Sequence, residues 1–237
     1  MTTRLFTSAV FAGLIAGLIA VLLQFTLMES LILEGEEYET GNKSHFGGVL
    51  VINEALEASG EAATEVEEEP ENLLKRYSLA FFADFIVFVG WGLIMVAGFA
   101  VADRFGRKVT VKDGLLWGIA GFTAVHMAPS IGLAPELPGT PAAELELRQL
   151  WWITTVIATA LALALIAYGR GALFVVIGLA LLVAPHLIGA PRLDGYAGLA
   201  PPELSGEYVA RSLAVSMAIW AVLGLAAGYF WNRNADA

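Results

Sequence analysis

Six stretches of the chain run almost unbroken through Leu, Ile, Val, Ala, Phe and Gly, and charged residues fall mainly between them. They are Leu5–Met28, Leu79–Val101, Gly114–Ile131, Leu150–Tyr168, Gly171–Ile188 and Val209–Trp231. A bilayer core about 30 Å thick needs about 20 apolar residues of helix to cross it. The first, second, fourth and sixth stretches meet that length clearly. The third and fifth are shorter, so they fit full spans, tilted partners in a bundle, or a re-entrant pair. The pattern predicts an all-α, polytopic membrane helix bundle of about six transmembrane helices, forming a single membrane domain over residues 1–237.

The first stretch begins after Arg4 and exceeds the apolar core of a secretory signal, about 7–15 residues. It continues into MESLILEGEEYE without a small-residue cleavage site, so it reads as a retained helix. Basic residues in short loops mark the cytoplasmic side of a membrane protein. Arg104, Arg107, Lys108 and Lys112 join the second and third stretches, Arg170 joins the fourth and fifth, and Arg233 follows the sixth. This places both termini inside and the segment 29–78 outside. Gly13 with Gly17, and Gly224 with Gly228, form small-xxx-small faces that let helix backbones approach closely.

Composition agrees with the pattern, since 57% of residues are hydrophobic and mean hydropathy is +0.70. Soluble domains hold about 45–50% apolar residues. Thirteen of the 23 acidic residues lie between Glu29 and Glu71, so the net charge of −10 belongs largely to one outer loop. That loop reads either as a solvated acidic face or as a vestibule that concentrates cations, because a negative mouth raises their local concentration. No cysteine is present, which excludes disulfides, thiolate chemistry and sulfur-ligated zinc. No phosphate-binding loop, dinucleotide turn or zinc-protease helix is found, and these motifs would mark a self-contained ATP-driven pump or the enzymes that use them.

Two of the three histidines sit near the ends of apolar stretches, His126 in GFTAVHMAPS and His186 in APHLIGAP. With both termini inside, the third and fifth helices run outward and place both imidazoles in the outer leaflet. Asp84 lies about one turn inside the outer end of the second helix, and the first helix ends outside with Gln24, Met28 and Glu29. An aspartate within a span costs about 2.5–3.5 kcal/mol on insertion scales, so Asp84 must face the bundle and find a partner. A structural hydrogen bond or a pair with Arg76 would satisfy it. A lone histidine at a wet boundary needs no special role. Two of them with carboxylates in one layer point to a site for a divalent first-row metal, since imidazole and carboxylate accept such ions without thiolate. The candidate ligands are His126, His186, Asp84, Glu29, Glu34 and Glu37. Pro129 and Pro185 add to the case, because proline removes a backbone donor and weakens or ends the helix, leaving carbonyls that can face ions or water.

Taken together, LILEGEEYE, RYSLAFFADFIVFVGWGLIMVAGFA, GFTAVHMAPSIGLAPELPGTPAAELELRQLWW, APHLIGAP and PPELSGEYVARSLAVSMAIWAVLG resemble the CbtA family. Its members are assigned as membrane subunits of a cobalt transporter linked to cobalamin metabolism. The resemblance implies Co²⁺ uptake across the cell membrane, with no tightly bound cofactor and with a small one-helix CbtB-type partner carrying histidines. It brings forward Glu34, Glu37, His126, Glu136 and His186 as matching positions. The family's first loop is often histidine-rich, whereas this one holds His45 alone among many glutamates. Selectivity for Co²⁺ comes from the resemblance only, since the same ligands also bind Ni²⁺, Cu²⁺ and Zn²⁺. The alternative is a non-transporting assembly or sensor subunit that uses its glycine faces and acidic loop to bind partners. Both readings leave room for a homo-oligomer. Either way no catalytic residue is expected.

Overall fold

The computed structural model describes residues 2–45, 73–195 and 197–233. The second acidic run, GEAATEVEEEPE, lies outside them. The described residues form six continuous helices and no strand. They are α1 (Thr2–Glu39), α2 (Leu73–Arg104), α3 (residues 111–130), α4 (Leu145–Tyr168), α5 (Ala172–Ile188) and α6 (Pro202–Arg233). Four of them, α1, α2, α4 and α6, are long and apolar enough to cross a membrane. The outward surfaces of the helices are strongly apolar: Ile86, Ile94 and Leu116 are each more than half exposed, as are Leu161 and Val176. In lipid such surfaces are solvated rather than strained.

α1 does not stop at Met28. It continues to Glu39 through residues that favour helix, with Leu31 and Gly35 buried and the glutamates mostly turned outward. At 1.5 Å per residue the 38-residue helix is about 57 Å long, well beyond a 30 Å apolar layer. The extension defines an acidic end of the bundle. The basic end carries Arg104, Arg107, Lys108, Arg170 and Arg233.

The core is built along the line α2–α1–α6–α3, with α4 and α5 attached to α3 as a hairpin. Ala9, Ala12, Ala16 and Ala20 of α1 are fully buried, and Val96, Phe99 and Leu223 pack into the same core. Gly13 lies against α2, where an added Cβ would come within 2.5 Å of Val89 Cα. The face of Gly224 and Gly228 meets a second glycine pair, Gly114 and Gly118 of α3. A Cβ on Gly224 would fall 2.3 Å from the Gly114 carbonyl oxygen. Because backbone cannot move aside as a flexible side chain can, Gly224→Ala is expected to push α3 from α6 and cost about 1–3 kcal/mol, the usual range for overpacking. Thermal unfolding of the purified protein in detergent measures that loss.

At the basic end a single arginine ties the termini of the core together. Arg4 Nε donates to the Trp231 carbonyl at 2.8 Å, its guanidinium lies 3.7 Å over the Trp231 ring, and it pairs with Asp103 at 3.7 Å. Asn232 Nδ2 donates to the Val109 carbonyl at 2.9 Å. α3 then starts on a capping box, in which Thr110 accepts from the Asp113 N–H and the Asp113 carboxylate accepts from Thr110. These hydrogen bonds hold the Asp113 carboxyl below the usual range.

Candidate functional site at the acidic end

Both histidine-bearing helices end at Trp151. A Cβ on Gly132, just past α3, would lie 2.7 Å from the Trp151 ring and 2.7 Å from Ala190 Cβ, just past α5. Trp151 is buried, its indole Nε1 donates to the Pro185 carbonyl at 3.2 Å, and its ring meets the His186 ring edge-on at 6.1 Å. Residues 131–144 continue from α3 onto the α1 extension, where Gly35 contacts Leu137 and Pro138. Hence His126, His186 and the α1 glutamates occupy the same end of the bundle. Trp151, the hinge of this arrangement, is a feature that apolar patterning alone does not single out.

The prolines act differently from one another. Around His126 the helix widens into a π turn over Thr123–Met127, closed by the Ala128 N–H bonding to the Thr123 carbonyl. Pro129, which follows, has no N–H to continue an ordinary turn, and π turns are found where the regular ladder is interrupted. A matching π turn, Gln24–Met28, lies in α1 at the start of the acidic extension. In both turns a threonine hydroxyl donates to the carbonyl four residues earlier: Thr123 to Ile119 at 2.8 Å and Thr26 to Leu22 at 2.7 Å. Such back-bonding loosens the local ladder. Pro185, by contrast, does not end its helix. α5 runs on to Ile188 and stops at Gly189, whose φ of +86° suits glycine. The Pro185 carbonyl is not left free for an ion either, since it accepts from both Trp151 and the Gly189 N–H.

Each candidate ligand has its own neighbour. The His126 ring is half-buried, stacked on Phe122 at 6.1 Å and edge-on to Trp220 at 6.1 Å, and Trp220 in turn meets Trp91 of α2 at 5.2 Å. The Trp220 indole N–H is buried and finds no acceptor among the described residues. Asp84 lies in α2 and accepts from Gln24 Nε2 at 3.4 Å, from within the π turn of α1. It does not pair with Arg76, whose guanidinium is bidentate on Glu36, one of these bonds measuring 3.1 Å. Glu29 accepts from the Tyr77 hydroxyl. Glu34 and Glu37 share Lys43, at 3.5 Å from Glu34, and hydrogen bonding to Glu37 holds the ammonium above its usual pKa. Glu136 pairs with Arg148.

The candidate acids are therefore answered by local donors and cations. Among the described residues, no three His, Asp or Glu side chains converge on a point where they could hold a metal ion together. The candidates lie at one end of the bundle, but their directions around each helix separate them. His126 faces α6 and His186 faces α4.

The family profile described as "Probable cobalt transporter subunit (CbtA)" matches residues 2–232, nearly the whole chain. The chain belongs to the CbtA family. This is a family of transporter subunits and not of enzymes, consistent with the four membrane-length helices. Comparison with curated proteins and with solved structures finds no match.

Proposed function

We propose that the protein is the multi-pass membrane subunit of a Co²⁺ uptake system in the plasma membrane, with the acidic end outside. The family match over residues 2–232 carries this reading. In it all six helices cross the membrane, α3 and α5 included, and both termini are cytoplasmic, as the basic loops favour. Co²⁺, and Ni²⁺ by the same ligand chemistry, is the cargo. A one-helix CbtB-type subunit and self-association are the partners this reading admits.

The cation would reach Glu29, Glu34 and Glu37 first, then Asp84, His126 and His186 deeper in the outer leaflet. The four carboxylates are held by exchangeable partners, Lys43, Tyr77 and Gln24, and the two imidazoles by aromatic ring contacts, rather than locked into a cage. A transport path needs this, because a site must bind well enough to admit the ion and weakly enough to release it. Passage then means that the ion displaces these partners in turn while α3 and α1 shift at their π turns. Cells expressing the chain are expected to accumulate more Co²⁺ than matched cells lacking it. Equal accumulation with the protein present in the membrane would favour the non-transporting assembly reading instead.

A further inference from the structure

The close glycine packing that draws α3 onto α6 leaves α3 apart from α4 at the basic end. α4 meets the π turn and the last turn of α3 near its own start, then diverges. The gap is a two-lobed apolar cleft, with lobes of about 760 and 620 Å³. Both lobes share Trp117, Ala164 and Tyr168, and the Trp117 and Tyr168 rings, 6.4 Å apart, form a ridge between them. Trp117 is fixed in place across Gly98 of α2, where an added Cβ would come within 2.5 Å of the indole. Phe105, 82% exposed, and Leu116, 62% exposed, stand at the margins, so the cleft opens onto the surface that lipid would cover.

Its mouth is basic. Arg107 borders both lobes, Arg170 borders one and Lys108 the other. Among the described residues none of the three forms an ion pair with a carboxylate. Among the described lining residues the one acid, Asp113, is committed to the backbone and hydroxyl of Thr110 at 2.8 and 2.7 Å.

We propose that this cleft is a binding site for one anionic diacyl phospholipid, with an acyl chain in each lobe and the headgroup phosphate on Arg107, flanked by Lys108 and Arg170. Basic pockets between membrane helices recognise anionic headgroups through this combination of apolar walls and cationic rim. The aromatic ridge favours two chains over a partner helix, which is about 10–12 Å wide and needs one continuous trough. The basic mouth lies at the opposite end from the candidate metal ligands, while the smaller lobe runs up the bundle to Trp91, Val125 and Trp220, next to the His126 layer.

The test is native mass spectrometry of the purified full chain in micelles containing equal amounts of phosphatidylglycerol and phosphatidylcholine. Phosphatidylglycerol is expected to be retained at least about fivefold over phosphatidylcholine, the scale set by a single basic residue at a membrane surface. Arg107→Gln/Lys108→Gln/Arg170→Gln is expected to bring that ratio close to one, while Arg233→Gln at the same end leaves it unchanged. Ala164→Phe, which fills the ridge between the lobes, is expected to reduce retention of both lipids. Equal retention by the unaltered protein would overturn the proposal. So would an unchanged ratio in the triple variant, an equal loss in Arg233→Gln, or unaltered retention in Ala164→Phe.

Discussion

His126→Phe is expected to lower Co²⁺ accumulation at least about tenfold, since even second-sphere changes at metal sites cost 10–100-fold. Phenylalanine keeps a ring between Phe122 and Trp220, where the imidazole now sits, and removes only its ligand nitrogens. The surrounding layer of Trp91, Phe122 and Trp220 is apolar, so the variant should fold and melt as the parent protein does. A histidine present only for packing would tolerate this exchange and transport would persist. The readout is therefore paired: cobalt uptake in cells, and thermal unfolding of the same variant in detergent. Loss of uptake with unchanged melting assigns the imidazole to the ion, whereas normal uptake removes His126 from the path.

Asp84→Asn is expected to move stability and transport in opposite directions. An intramembrane aspartate costs about 2.5–3.5 kcal/mol to insert, so the neutral amide should fold at least as well. The substitution keeps the shape of the side chain and leaves an oxygen that can still accept from Gln24. What it removes is the negative charge that a divalent cation would need at that depth. Uptake should fall by about tenfold or more, on the same metal-site scale as His126. Uptake at the parent level would make the Gln24–Asp84 bond a structural link between α1 and α2, as a packing account requires.

Much of this architecture is legible in the apolar pattern because lipid imposes it. Backbone polar groups must be satisfied within the helix, so span length and composition mark the long helices directly. The glycine faces of α1 and α6 were legible too, but not their partners. Gly114 and Gly118 sit in VKDGLLWGIAGF, where nothing in the spacing says that α6 is the helix they meet. Charge density made Glu29–Glu39 look like loop, yet the helix continues, with Leu31 buried, Gly35 set against Leu137 and Pro138, and Glu36 held by Arg76.

For the candidate residues the sequence spoke to the end of the bundle and not to direction around the helix. Position along a helix fixes which end of the bundle a residue occupies, and His126 and His186 do sit at one end, around Trp151. The direction a side chain takes around the helix depends on regular 3.6-residue turns, and His126 lies inside a π turn that breaks that register. Pro185 shows the same limit from the other side: the residue type signals a helix end, but Trp151 and Gly189 satisfy its carbonyl and the helix continues. Trp151 joins the ends of α3 and α5, and nothing in the apolar pattern singles it out.

The central claim is that this chain conducts Co²⁺ through the layer containing Asp84 and His126. The most direct measurement places the purified protein in liposomes under an imposed inward Co²⁺ gradient, which supplies the driving force without any other component. Liposomes carrying the parent chain are predicted to fill with Co²⁺ faster than empty liposomes, and those carrying His126→Phe to fill at the empty rate. Equal filling of all three would contradict it.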